Sequence, residues 1–215
     1  MSRWVAAAVL VCAVCSCRDI QPFSPSGSIS GYRVEGAVTD GAGRGLAGAE
    51  VRMFYEFGAR VAPLDTSRVM VQNPNSQVEI EVFGPDGQFV RRFTVHMNAG
   101  PVPRNIWDEK DSSSSFVENG TYQLNVFVNG SFVKPYPWLV DGKVSAVTDS
   151  TGSFAIPGFR LPVGEGVDLY KASGEYDGTY RIDTQIVLEA RYSGFQRSGR
   201  VVLLRGQITR VSISF

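Results

Sequence analysis

Val78-Glu79-Ile80-Glu81-Val82 alternates apolar and acidic side chains residue by residue, the pattern of a strand buried on one face and wet on the other. Gly84-Pro85-Asp86-Gly87 follows as a strong turn, and Gln88 to Val95 forms the returning strand, so the stretch predicts a β-hairpin. The pattern recurs outward in both directions. Upstream, Tyr32 to Val38 places Val34, Gly36 and Val38 on one face, Thr39-Asp40-Gly41-Ala42-Gly43 is a turn cluster, and Ala49 to Tyr55 alternates again. Downstream, Gly120 to Val128 carries Tyr122, Leu124, Val126 and Val128 on one face, and Ile186 to Ala190, Arg200 to Leu204 and Gln207 to Phe215 repeat the theme. Beyond the N-terminal segment no window shows the helical period. Short strands with turn signals at intervals of roughly 8–12 residues predict an all-β fold of sandwich type.

The composition agrees. The 215 residues suffice for one large or two small domains, and 43% apolar content can fill a core. The 23 Gly and 11 Pro suit many turns. Twenty-one basic and 21 acidic side chains cancel, so the overall charge gives no reason to expect nucleic acid or an anionic surface as partner.

The first residues have a different character. Met1-Ser2-Arg3 is a short positive segment, and Trp4 to Val14 is apolar but too short to span a bilayer. All three cysteines, Cys12, Cys15 and Cys17, fall here. Cys12-x-x-Cys15 has the spacing of a redox or zinc motif, but it lies inside an apolar signal and no redox fold follows it. Val14-Cys15-Ser16-Cys17 resembles the lipobox of bacterial lipoproteins, with Ser16 as the small residue before the cut and Val14 at the apolar position. That resemblance implies a signal peptide over 1–16, a diacylglyceryl group on the Cys17 thiol and attachment to a membrane. Arg18 in place of Asp implies sorting outward to the outer membrane. Residues 17–30, rich in Ser, Pro and Gly, read as a flexible tether.

Two further resemblances organise the strands. Val34-Glu35-Gly36-Ala37-Val38-Thr39-Asp40-Gly41-Ala42-Gly43-Arg44-Gly45-Leu46-Ala47-Gly48-Ala49-Glu50-Val51 resembles the opening of carboxypeptidase regulatory-like domains, with Gly45 where Pro is usual. Val147 to Ile156, Leu161-Pro162-Val163-Gly164, Arg191 to Phe195 and Gly206 to Phe215 resemble that family's later motifs, in family order. The middle, Val78 to Arg91 with Ile106-Trp107-Asp108-Glu109-Lys110-Asp111 and Val117 to Tyr122, is similar to the immunoglobulin-like domain of flagellar hook-capping proteins and to sorting domains of type IX secretion cargo. Glu109 stands there where Gly is common. These resemblances imply a transthyretin-like or Ig-like β-sandwich over 31–60 plus 143–215, with a second Ig-like β-sandwich over 69–132 inserted. Residues 60–68 and 133–143 would be the two crossings. The rival arrangement is one larger irregular sandwich.

Few residues suggest chemistry. His96, the only His, has no nucleophile motif beside it, and an exposed strand-end position accounts for it. Asp108, Glu109 and Asp111 cluster as a hard cation requires, but the spacing is not that of a calcium loop and Lys110 sits among them. No pair of acids stands out for sugar hydrolysis. Phe132, Tyr136 and Trp138, with Pro135 and Pro137, either seal the junction of the two units or present ring faces to a ligand, which makes Tyr136 and Trp138 the candidate binding residues. Tyr170, Tyr176 and Tyr180 are expected in a long polar loop, and Asn119-Gly-Thr121 and Asn129-Gly-Ser131 as turns. The expectation is therefore a non-enzymatic lipoprotein with no metal, no cofactor and no nucleic-acid partner. It would contact the membrane through its N-terminal lipid and act as a structural or protein-binding module of the envelope. A carbohydrate-binding or adhesive role, with an envelope polysaccharide as partner, is the alternative.

Overall fold

The computed structural model describes residues 31–62, 69–103, 105–171 and 176–215, and the signal segment, the tether and Cys17 lie outside the described residues. The fold is all-β, and among the described residues the only helical element is a single 3-10 turn at Gly158–Arg160.

One group of strands comes from the two ends of this chain. β1 (Tyr32–Thr39) lies between β10 (Ser153–Ile156), antiparallel to it, and β14 (Gln207–Ser214), parallel to it. Facing this three-stranded sheet is a second one. There β2 (Glu50–Val61) pairs with β9 (Val144–Val147) on one side and with β12 (Tyr176–Tyr192) on the other. The far side of β12 is shared end to end by β11 (Gly166–Tyr170) and β13 (Phe195–Val202). Alternation places Val34, Val38, Phe154 and Ile156 from the first sheet against Val51, Met53, Ile186, Leu188 and Ala190 from the second, all buried in one cluster. This is the sandwich that period-two patterning demands.

The intervening chain builds its own layers. β4 (Ser76–Phe83) and β5 (Phe89–Met97) form the hairpin, and β7 (Gly120–Val128) and β8 (Ser131–Val140) complete a sheet of order β5-β4-β7-β8. β3 (Met70–Val71) and β6 (Gly100–Pro101) make a short ribbon. Val78, Ile80, Val82, Tyr122, Leu124 and Val126 close over Trp107, Val69, Val71 and Val102 in a second buried cluster.

Two expectations need correction. The sheet built by the middle of the chain does not end at Phe132: β8 pairs with β7 as far as Gly120–Val140, so most of the expected crossing 133–143 is strand. Its prolines, Pro135 and Pro137, are admitted because β8 is an edge strand, where a missing N–H can face away from the partner. Tyr170, Tyr176 and Tyr180 lie in β11 and β12 rather than in a long loop, and Tyr170 stands opposite Tyr176. The polar, Gly-rich composition hid two strands that form because each edge completes the other.

The quoted turn residues behave as their chemistry requires. Asp40 Oδ1 accepts the N–H of Ala42 and of Arg44, each at 2.9 Å. Asp149 Oδ1 accepts Thr151 N at 2.8 Å and Ser153 N at 3.0 Å. Both carboxyls titrate below the usual range, Asp40 chiefly through the Arg44 amide and Asp149 chiefly through the Thr151 hydroxyl. The two turns touch: a Cβ on Gly45 would sit 1.8 Å from Thr151 O, and one on Gly152 would sit 2.5 Å from Val38 O. Gly45 thus has no room for a side chain, because another backbone passes against it.

Gly152 has φ +80 and no room, whereas Gly43 has φ +78 and open space around it. Gly43→Ala should therefore cost only the left-handed penalty of about 1–2 kcal/mol. Gly152→Ala should cost roughly 3 kcal/mol or more, because the clash adds to it. Urea unfolding of the two variants measures the difference.

Candidate functional site

β2 pairs with β9 only from Glu50 to Arg52. Beyond that point its backbone faces the two ends of the β7–β8 pair. Asn119, fully buried before β7, donates from Nδ2 to Met53 O at 2.7 Å and accepts Lys143 N on Oδ1 at 2.7 Å. Asp141, just after β8, accepts Tyr55 N on Oδ1 at 3.0 Å, and Gly142 N donates to Met53 O at 3.1 Å. Asn119 is therefore more than a turn residue: it ties the two layered units together. Arg160 of the 3-10 turn pairs with Glu118, and Tyr55 Oη donates to Arg160 O at 2.8 Å. Burial raises the carboxyls of Asp141 and Glu165 at this junction. Hydrogen bonds from Tyr55, Gly142 and Asn119 oppose the shift at Asp141.

Beside the clasp, between β8 and β11, runs a groove of about 370 Å³. Its walls include Phe57, Ile106, Tyr136, Trp138, Leu169 and Tyr170, with Glu109, Asp141 and Asp168 among them. Both candidate residues, Tyr136 and Trp138, are half-buried. The Trp138 ring packs edge-on against Trp107 at 6.1 Å, and Trp107 leans on Tyr122 at 5.2 Å, so this wall is anchored in the second core. Tyr136 Oη accepts Val69 N at 2.5 Å, and Lys134 Nζ lies 5.0 Å from its ring centre. The opposite wall is held by Asp168, which accepts Thr179 Oγ1 at 2.5 Å, and by the Tyr170–Tyr176 ring pair at 5.7 Å.

Among the described residues Glu109 joins no cluster of carboxylates and has a different role. Its φ is +59, a left-handed conformation that ordinarily favours Gly. Glu109 bears that strain while accepting Trp138 Nε1 at 3.4 Å and pairing with Lys143 at 2.7 Å. Its neighbours turn elsewhere: Asp108 pairs with Arg91 at 2.8 Å, and Asp111 Oδ1 accepts Ser113 N at 2.8 Å and Ser115 N at 2.9 Å. His96 is exposed on β5 opposite Gln77. Asn129 is a turn residue with φ +49, and its Oδ1 accepts Gln77 N. Phe57 and Asp168 escaped the sequence reading because only the packed strands bring them to the aromatic pair, and Asp141 because its partner, the Tyr55 amide, is distant in the chain. No protein-family model and no curated protein matches this chain.

Asp141 tests the clasp. An Asn there keeps the acceptor oxygen and sheds the buried charge, so Asp141→Asn should be as stable as the parent or more so at neutral pH. Because the folded carboxyl titrates above its unfolded value, the cost of ionising it is full above the folded pKa. The gap should close as pH falls below the ordinary carboxylate range. Asp141→Ala orphans the Tyr55 amide, while the Gly142 amide keeps Met53 O, and should lose about 1–3 kcal/mol at any pH. Denaturant melts from pH 3 to 8 compare the three proteins.

Proposed function

We propose that this chain is a non-enzymatic lipoprotein of the bacterial envelope, held to the outer membrane through Cys17, and that its junction groove recognises another envelope protein. The observation that carries the reading is the groove walled by Tyr136 and Trp138, whose acids are committed to internal bonds. Glu109 serves Lys143 and Trp138, Asp141 serves the β2 backbone, and Asp168 serves Thr179. Such acids shape a binding surface, whereas general acid–base work needs a carboxyl free to reach a substrate proton. Aromatic rings in a groove of this size are the usual substance of recognition.

The chain is read as a carboxypeptidase regulatory-like base carrying a hook-capping-type immunoglobulin-like unit between its second strand and the next one. The separate buried clusters and the roles of Asp40 and Asp149 support this arrangement. A second reading, binding of an envelope polysaccharide, is favoured by the partly exposed rings of Tyr136 and Trp138, which can stack on sugar faces.

Metabolic labelling with a palmitate analogue should mark the parent and leave Cys17→Ser unmarked and released from membranes. Label retained in Cys17→Ser would overturn the anchor. A photocrosslinking residue at position 136 should capture one envelope protein in intact cells, and Trp138→Ala should abolish the adduct. Retardation of the parent, but not of Trp138→Ala, in gels containing cell-wall polysaccharide would select the second reading instead.

A further inference from the structure

The neutral charge of the whole chain conceals an uneven distribution. Residues 190–215 hold five arginines, Arg191, Arg197, Arg200, Arg205 and Arg210, and no Asp or Glu. They occupy the end of β12, all of β13 and all of β14. Where the chain crosses from β13 to β14, Leu203 is buried, but Val202 is 53% exposed, Leu204 51% and Ile208 40%. Three apolar side chains thus stand in solvent around one turn, with the exposed Arg205 in the turn and Arg210 two residues past Ile208. Of the nearby acids, Glu35 pairs with Arg33, Glu56 pairs with Arg200, and Asp183, which lines a cavity with Arg205, accepts Thr184 N and Oγ1.

A second observation places this corner at the end of the tether. Gly206 N donates to Gly31 O, so the turn touches the first described residue of the chain, and β1 and β14 start side by side from there. The chain from Cys17 therefore arrives at this corner. At about 3.5 Å per residue, the fourteen residues from Arg18 to Gly31 reach at most roughly 50 Å, which keeps the corner close to any bilayer that holds Cys17.

We infer that the β13–β14 turn is a second membrane contact, with Val202, Leu204 and Ile208 entering the headgroup layer of an anionic bilayer and Arg205 and Arg210 meeting its phosphates. The orientation rests on the lipid-anchor reading. Apolar side chains set among cations suit a lipid interface, where burial and charge attraction add. A soluble polyanion would use the arginines alone.

The test uses residues 17–215 with Cys17→Ser, so that no acyl chain contributes, sedimented with vesicles of phosphatidylglycerol and phosphatidylethanolamine or of phosphatidylcholine alone. Binding should favour the anionic vesicles, weaken at high salt, and fall about tenfold in Leu204→Ser and again in Arg205→Glu. Phe195→Ser, at the far end of β13, should bind like the parent. Matching melting temperatures show that each variant is folded, and both positions are exposed. Equal binding by parent and variants, or no preference for anionic vesicles, overturns the proposal. Loss in Arg205→Glu with full binding in Leu204→Ser overturns it in favour of a polyanion site. Dimerisation that Leu204→Ser abolishes while vesicle binding persists assigns the patch to a second copy. None of these outcomes depends on palmitate labelling of Cys17, so the anchor and the contact can fail separately.

Discussion

The arrangement depends on backbone hydrogen bonds that β2 cannot complete within its own sheet. Its partner β9 stops at Val144, opposite Arg52, and the carbonyl of Met53 and the amide of Tyr55 would be left on a buried edge. An unpaired backbone group in such a place costs about as much as a lost hydrogen bond. Asn119, Asp141 and Gly142 supply the partners, and they flank the Gly120–Val140 pair that closes one end of the β7–β8 hairpin. The same bonds that satisfy β2 therefore fix where the second unit stands. Two layers with separate cores become one object because an edge of the first is finished by side chains of the second.

The groove follows from that clasp. Once β8 is held next to β2, its outer edge approaches the edge of β11, and the space between two edges is walled by whatever each projects. Pro135 and Pro137 remove donors from β8, which keeps the two edges from zipping into a continuous sheet. The apolar walls are firm because Trp138 is packed on Trp107 and Tyr136 is bonded to Val69. The ion pairs around the junction, such as Lys143 with Glu109, contribute more to alignment than to stability, since partly exposed pairs are worth at most about 1 kcal/mol. Glu109 shows the trade in one residue: it accepts a left-handed backbone in order to place its carboxylate between Trp138 and Lys143.

Charge is distributed with the same economy. A chain with equal numbers of acids and bases has no long-range field to steer it, yet the charged residues of its last two strands are all arginines and its junction gathers half-buried acids. Function in such a molecule is a property of faces and edges, and the sum over the chain averages it away.

The all-β fold, the Val78–Val95 hairpin, the turns at Asp40 and Asp149 and the placement of apolar residues in layers were legible in the sequence. Each depends on residues close together in the chain: alternation sets which side chains share a face, and Asx turns close within a few residues. Tyr136 and Trp138 drew attention as aromatics, but their neighbours Phe57, Asp141 and Asp168 did not, and Asn119 passed for an ordinary turn. Strand pairing and edge completion decided those, through contacts between residues far apart in the chain, such as the 86 positions between Tyr55 and Asp141. Local patterning records what a residue prefers to face, and only the packed sheets determine which distant backbone or ring is there to meet it.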